Sequence, residues 1–282
     1  MVCSLTLVGS DRLKPTLQEG KRSLKDKIAA IDIGNSSICL ALFAGDELLS
    51  TYTTPTQNPE EAAKCLQTLD KENNLSCIAV ASVVPEARDA VTAAFDHERV
   101  YNVNPKNQSL IKNIYETLGA DRLANCIAAR RIYTKTAPAA AILDFGTATT
   151  LTAVSADGTF LGGLITLGLM RTLSSLSTST AQLPKTRISR DLLEAAVLGP
   201  AFDTESAILN GTLLAHLGLV HNWLLTVKKE LPEGTVTIVT GGLSSILGPL
   251  ISRDYDVIVD QMLTLKGIKL AAEEAVVPAD RD

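Results

Sequence analysis

Ala139-Ala-Ala-Ile-Leu-Asp144-Phe-Gly146-Thr147-Ala-Thr149-Thr150-Leu-Thr-Ala-Val154 reads as two β-strands joined by a tight turn. An apolar run climbs to one carboxylate, a glycine follows, then hydroxyls at Thr147, Thr149 and Thr150, then an alternating return strand. An unpaired carboxylate at the end of a buried strand is costly, so its presence asks for a reason. Phosphate and cation handling supplies one, because a glycine lets backbone N–H groups approach an anion closely.

The same plan occurs earlier, in Ile28-Ala-Ala-Ile-Asp32-Ile-Gly34-Asn35-Ser36-Ser37-Ile-Cys39-Leu-Ala-Leu-Phe. The two aspartates lie about 110 residues apart, the length of one small domain. One Asp-x-Gly is a common turn signal. Two copies in matching strand context point to an internal duplication, with each half presenting a phosphate turn to a shared cleft.

Composition sets the bounds. At 282 residues the chain is long enough for two cores. Hydrophobic residues make up 46% and charged residues 20%, as in a globular α/β protein. A formal net charge of -5 argues against broad nucleic-acid binding, which needs a basic footprint. Five scattered cysteines include no C-x-x-C pair and fit reduced thiols, hence a cytoplasmic protein. Three histidines (His97, His216, His221) make no metal-ligand pattern, and core or surface roles are expected for them. No apolar run reaches membrane-span length, so no membrane partner is expected.

In chain order, residues 1–26 read as an extension, either a flexible tail or the product of an upstream start, with a basic docking arm as the alternative. A first domain spans 27–137: strands to Asp32, over Ile38–Phe43 and Glu47–Thr54, a helix opened by Asn58-Pro59, a strand over Cys77–Val84, a helix from Pro85 and a short strand over Val100–Val103. A helix begins at Ala120 and carries Asp121, Arg122 and Asn125 in its first turns. Asp121 there can be a capping carboxylate, and Arg122 a surface charge. A second domain spans 138–282, with strands through the Asp144 turn and Phe160–Leu167, a helix over 169–183, a long helix capped by Asp203, a strand ending at Thr240-Gly241-Gly242, a strand over Asp256–Val259 and a last helix from Leu263.

Each half thus reads as three antiparallel strands followed by helix-linked strands. This resembles the duplicated ribonuclease-H-like fold of acetate and sugar kinases, Hsp70 and actin: α/β, two duplicated ribonuclease-H-like domains with a nucleotide cleft between them. The ordered set Asp32-Ile-Gly-Asn35-Ser, Gly119-Ala-Asp121-Arg122 with Asn125, Asp144-Phe-Gly-Thr147-Ala-Thr149-Thr150, Gly162-Gly163-Leu-Ile-Thr-Leu-Gly168-Leu and Thr240-Gly-Gly242 is similar to type III pantothenate kinase over about residues 27–275.

That resemblance implies an alcohol-acceptor phosphotransferase making 4'-phosphopantothenate from pantothenate and ATP. It implies ATP binding by Asp32, Ile33, Gly34, Asn35, Ser36, Ser37, Ile38 and Cys39, with Thr147 from the second turn. Magnesium is implied with ATP, and a monovalent cation (potassium or ammonium) at Asp144. Asp121 is implied as the base, and Gly119, Ala120, Asp121, Arg122, Thr204 and Tyr115 as the pantothenate site, with Arg122 on the substrate carboxylate. A homodimer is implied, since the Thr204 region lies near a dimer interface in the family. Three departures bear on substrate affinity: Asp203 stands where the family has Asn, Leu167 replaces a proline, and Tyr115 is closer to Gly119 than the family's tyrosine. They leave open a catalytically inactive relative that binds ligand or a partner. A sugar- or acetate-kinase-like enzyme with another acceptor is a further alternative.

Overall fold

The computed structural model describes residues 6–7, 27–179 and 190–276. Its contacts form two units. The first runs to Leu110 and adds Ile114–Ile127 and the stretch from Thr264; the second holds Ile111–Asn113 and Ala128–Leu263. Apart from Thr6–Leu7, the extension over 1–26 lies outside the described residues, as do 180–183 of the helix expected over 169–183.

The first unit is built on a sheet of β1 (Thr6–Leu7), β2 (Lys27–Ile33), β3 (Ser37–Ala44), β4 (Glu47–Pro55), β5 (Cys77–Ser82) and β6 (Val100–Asn102), in the order β1-β4-β3-β2-β5-β6. The pairs among β2, β3 and β4 are antiparallel, while β5 and β6 run parallel to β2. Central β2 is buried on both faces from Ile28 to Ile31, which its near-continuous apolar sequence requires. Helices α1 (Pro59–Asn73) and α2 (Pro85–Thr92) both begin with proline, where no intrahelical N–H is needed. Leu66 and Leu69 of α1 and Val91 of α2 pack with Ile31, Ile33, Leu40 and Val80 in one core. A third helix, α3 (Ala120–Ala128), runs on into a π-helical turn over Ala129–Tyr133.

The second unit repeats the plan. β7 (Ala139–Phe145), β8 (Ala148–Ser155), β9 (Phe160–Leu167), β10 (Val236–Thr240) and β11 (Ile258–Val259) form a sheet in the order β11-β10-β7-β8-β9. Three antiparallel strands are again followed by two parallel ones. The order β9-β8-β7-β10-β11 matches β4-β3-β2-β5-β6 strand for strand, so the duplication expected from the two Asp-x-Gly turns is present in the topology. Helices α4 (Leu169–Ser179), α5 (Arg190–Ala195), α6 (Thr204–Glu230) and α7 (Ser244–Ile251) belong to this unit. Leu143, Phe145, Leu151 and Val239 meet Leu173, Leu213 and Leu247 in its core.

The last helix, α8 (Leu263–Val276), departs from the sequence reading, which assigns it to the domain over 138–282. From Thr264 onward it belongs to the first unit. The physical reason is close backbone packing. Gly267 lies against the backbone of Ala124 on α3 with no room for a Cβ. Beside it, Thr264 Oγ1 donates to Asn125 Oδ1 at 2.8 Å. Lys269 is buried yet ion-paired with Asp46 at 2.8 Å and Glu273 at 3.0 Å. The junction likewise falls at 127/128 and not at Pro138.

Candidate active site

The first turn joins β2 to β3. The Gly34 amide donates to Ser37 O at 3.0 Å and closes it. Thr56 braces its base, the hydroxyl donating to Gly34 O at 2.7 Å and the amide to Ser36 O at 3.2 Å. Asn35 and Ser36 at the tip are exposed. Gly34 has an ordinary negative φ, and a Cβ there would meet only Ser37 O at 3.5 Å. Neither strain nor crowding demands glycine, which leaves a bare backbone that a ligand can approach. Asp32 is half-buried and pairs in register with Cys39 on β3 and Ala81 on β5. Burial pushes the Cys39 thiol above its ordinary range, and the charge of Asp32 adds to that.

The second turn joins β7 to β8 and is more heavily supported. The Gly146 amide donates to Ala148 O at 3.1 Å. The Gly168 amide donates to Thr147 O at 3.0 Å, and a Cβ on Gly168 would fall 2.5 Å from the carbonyls of Gly146 and Thr147. Gly241 has φ +89° and lies against the Asp144 carboxylate and the Phe145 backbone. The Leu243 amide donates to Phe145 O at 3.2 Å, and this fastens the start of α7 to the turn. On the return strand, Thr149 Oγ1 lies 2.9 Å from His216 Nε2 of α6. His216 also packs on Phe145, with ring centroids 6.1 Å apart. Burial holds the His216 imidazole below its ordinary value.

The donors around Asp144 fit a small cation. β7 and β10 run parallel and pair Asp144 with Thr240, so the two side chains share a face. Thr240 is wholly buried, and among the described residues its hydroxyl has no hydrogen-bond partner. A carboxylate beside an uncommitted hydroxyl is the hard-oxygen chemistry that alkali and alkaline-earth ions take. Among the described residues no group of three His, Cys, Asp or Glu side chains converges as a metal cluster.

The mid-chain segment places the candidate base and anion partner. Asp121 stands in the first turn of α3, and its Oδ1 accepts the Arg122 amide at 2.8 Å. One oxygen therefore does the capping work expected of an acid at this position; the other takes no further hydrogen bond among the described residues. A Cβ on Gly119 would lie 2.5 Å from that capping oxygen, so the glycine gives the carboxylate room to fold back. Arg122 is only 5% exposed and donates from Nη1 to Tyr115 Oη at 2.7 Å. Tyr115 thus stands at Arg122 despite its shortened spacing. Asn125, singled out in the same motif, is buried and receives the Thr264 hydroxyl. Its visible work is to seat α8.

At the start of α6, Asp203 Oδ1 accepts the Ser206 amide at 2.9 Å, and this bond lowers the Asp203 carboxyl from its ordinary value. Thr204 is exposed on the first turn of α6. Leu167, in place of the family's proline, ends β9 and pairs with Ala148. Sequence reasoning did not single out His216, Thr56 or the hydroxyl of Thr240. Thr240 lay within a quoted motif, but nothing in the string marks its hydroxyl as unsatisfied.

The sheet order, the paired aspartate turns and the Gly241-Gly242 corner define a class, the two-unit α/β fold of actin-like ATPases and sugar kinases. The activator of 2-hydroxyisocaproyl-CoA dehydratase from Clostridium difficile, solved with bound ADPNP, shares it, with a TM-score of 0.53 and 12% identity, covering 88% of this chain and 95% of that one. So does a ROK family glucokinase from Streptomyces griseus in complex with glucose and AMPPNP, with a TM-score of 0.52, 12% identity and coverage of 88% and 99%. Within that class, the family model described as type III pantothenate kinase matches residues 28–225. The type III pantothenate kinase of Rubrobacter xylanophilus is 34% identical over 267 residues, covering 86% of this chain and 96% of that protein. The chain belongs to the type III pantothenate kinase family.

Proposed function

We propose that this protein is a pantothenate kinase, an ATP-dependent phosphotransferase that makes 4'-phosphopantothenate at the entry to coenzyme A synthesis. The observation that carries this is the family match over 28–225, which spans both aspartate turns and the Asp121-Arg122 pair. Phosphoryl transfer asks a protein mainly for positioning and charge stabilisation. In this reading the turn from Asp32 through Ile33, Gly34, Asn35, Ser36, Ser37 and Ile38 to Cys39 holds the ATP phosphates, and Thr147 adds a hydroxyl. The uncommitted oxygen of Asp121 takes the proton from the primary hydroxyl of pantothenate, a task that needs a carboxylate within hydrogen-bond reach. Arg122, steadied by Tyr115, pairs with the pantothenate carboxylate, where a planar guanidinium outperforms an ammonium. Gly119, Ala120 and Thr204 complete the substrate site. Asp144 holds a monovalent cation, potassium or ammonium, which supplies positive charge beside the phosphates, and magnesium accompanies ATP.

A homodimer belongs to the same reading. Phe202 is fully exposed two residues before Thr204, and Val197, Leu214 and Leu225 are exposed large apolar residues of the same unit. Exposed apolar surface of this kind marks interaction sites. A cytoplasmic location fits the free cysteines, which among the described residues are Cys39, Cys65, Cys77 and Cys126. Among the described residues no helix is long and apolar enough to cross a membrane.

Incubation with ATP, magnesium, potassium and a panel of hydroxyl acceptors tests the proposal. Phosphopantothenate is the expected product. Nucleotide binding with no product from pantothenate would replace the enzyme with a non-catalytic relative, and preference for a sugar would replace the substrate.

A further inference from the structure

The Asp32 and Asp144 turns are copies, yet the residue that backs each aspartate differs. Across β2 and β5, Asp32 is paired with Ala81. The next residue, Ser82, has its hydroxyl committed to the backbone of Val84 at 3.0 Å. Across β7 and β10, Asp144 is paired with Thr240, which is 0% exposed and whose Oγ1 has no hydrogen-bond partner among the described residues. Burying a hydroxyl without a partner is unfavourable, and folded proteins seldom keep one for nothing.

The backbone packs closely around Asp144, and the polar groups near Thr240 are spoken for. Gly241, at φ +89°, presents no side chain where the Asp144 carboxylate lies, and any Cβ there would also strike the Phe145 backbone. The nearby Ser244 hydroxyl is spent on Gly241 O at 2.7 Å. Just past β11, the next strand across, Asp260 accepts from Tyr133 Oη at 2.8 Å and from the Met262 amide at 3.1 Å. Thr240 is thus an uncommitted hydroxyl set beside the aspartate, with committed groups around it.

We infer that Thr240 Oγ1 is a ligand oxygen for the monovalent cation at Asp144, and that this is why the second turn, and not its copy, takes the ion. The inference rests on the cation reading of Asp144 given above. A carboxylate with a neutral hydroxyl suits an ion that exchanges water for oxygen ligands one at a time. Thr240 holds the ion in place and does no bond-making itself.

Thr240→Val replaces the hydroxyl with a methyl group of the same size, and Thr240→Ser keeps the hydroxyl. Full-length protein with saturating ADP is unfolded thermally while KCl replaces choline chloride at fixed ionic strength, because a ligand that binds the folded state raises the midpoint. The wild type is expected to show a potassium-dependent rise. In Thr240→Val, the potassium concentration giving half of that rise should increase about 10-fold, the scale seen when groups supporting a metal site are removed. Its midpoint in choline should equal or exceed that of the wild type, since no orphaned hydroxyl remains. Thr240→Ser should track the wild type. The proposal is overturned if Thr240→Val responds to potassium like the wild type or fails to unfold cooperatively, if Thr240→Ser behaves like Thr240→Val, or if the wild type ignores potassium. Phosphopantothenate production by the wild type is scored separately, so the kinase reading can stand when this one fails.

Discussion

The two aspartate turns were laid down on one plan and finished differently. In both, an apolar strand ends in Asp-x-Gly, and the glycine amide closes the turn onto a carbonyl further along, Ser37 O at 3.0 Å and Ala148 O at 3.1 Å. In both, the residue after the aspartate receives an amide from beyond the neighbouring parallel strand: Val83 to Ile33 O at 3.0 Å, Leu243 to Phe145 O at 3.2 Å. They then diverge. The first turn has exposed Asn35 and Ser36 at its tip and is braced at its base by Thr56. The second is locked by Gly168, Gly241 and His216. An open tip suits a large polyanion that must be approached by several N–H groups. A braced one suits a small ion whose oxygen ligands must be fixed in advance. Duplication supplied two equal corners, and packing around one of them made it rigid.

The largest expected effect lies outside both turns. Asp121→Ala should lower kcat by about 10²–10⁴-fold, the usual cost of losing a general base, with ATP binding kept. Steady-state kinetics alongside calorimetric ATP titration check this. A near-normal rate would leave Asp121 only its capping bond to the Arg122 amide and send the search for the base back to the turns.

Glycine substitutions sharpen the contrast in rigidity. Gly241→Ala forces a side chain into the left-handed region and into the Phe145 backbone, so it should destabilise the protein by about 2–4 kcal/mol. Gly34→Ala meets only an ordinary contact with Ser37 O at 3.5 Å and should cost about 1 kcal/mol or less in stability while weakening ATP binding. Denaturant unfolding of both variants is the measurement, and equal losses would mean that the two turns do not differ in how tightly they are packed.

A smaller effect is a pH dependence confined to the second turn, since the first carries no histidine. Burial lowers the His216 pKa from 6.5. As pH falls below about 6.5, the unfolded chain takes up a proton at this site before the folded chain does, so stability is lost from there down to the lowered folded value. Unfolding midpoints between pH 8 and about pH 5 should therefore fall more steeply for the wild type than for His216→Gln. Identical slopes would show that burial of His216 carries no proton linkage.

Much of this was legible in the sequence. The strands, their order within each half and both turns follow from apolar runs broken by Asp-x-Gly. Pro59, Pro85 and Asp203 mark helix starts that the structure keeps. The return of α8 was not legible, because it depends on Gly267 meeting the Ala124 backbone, and a single glycine in a helix carries no address. His216 read as structural, and it is buried, but only the folded chain brings it to the turn through Thr149. The unsatisfied hydroxyl of Thr240 was invisible for a deeper reason. Every threonine has a hydroxyl, and whether it is satisfied depends on neighbours brought in by folding.

The division of labour between the copies is tested most directly by making the same change in each. Asp32→Asn and Asp144→Asn remove one charge from each turn at nearly constant shape. Phosphopantothenate formation is then followed as potassium replaces choline at fixed ionic strength. Asp144→Asn is expected to abolish potassium activation or shift it by about 10-fold or more, while Asp32→Asn keeps the wild-type potassium midpoint and loses ATP affinity. Equal potassium midpoints in the two variants, or a shift in Asp32→Asn alone, would contradict that division of labour.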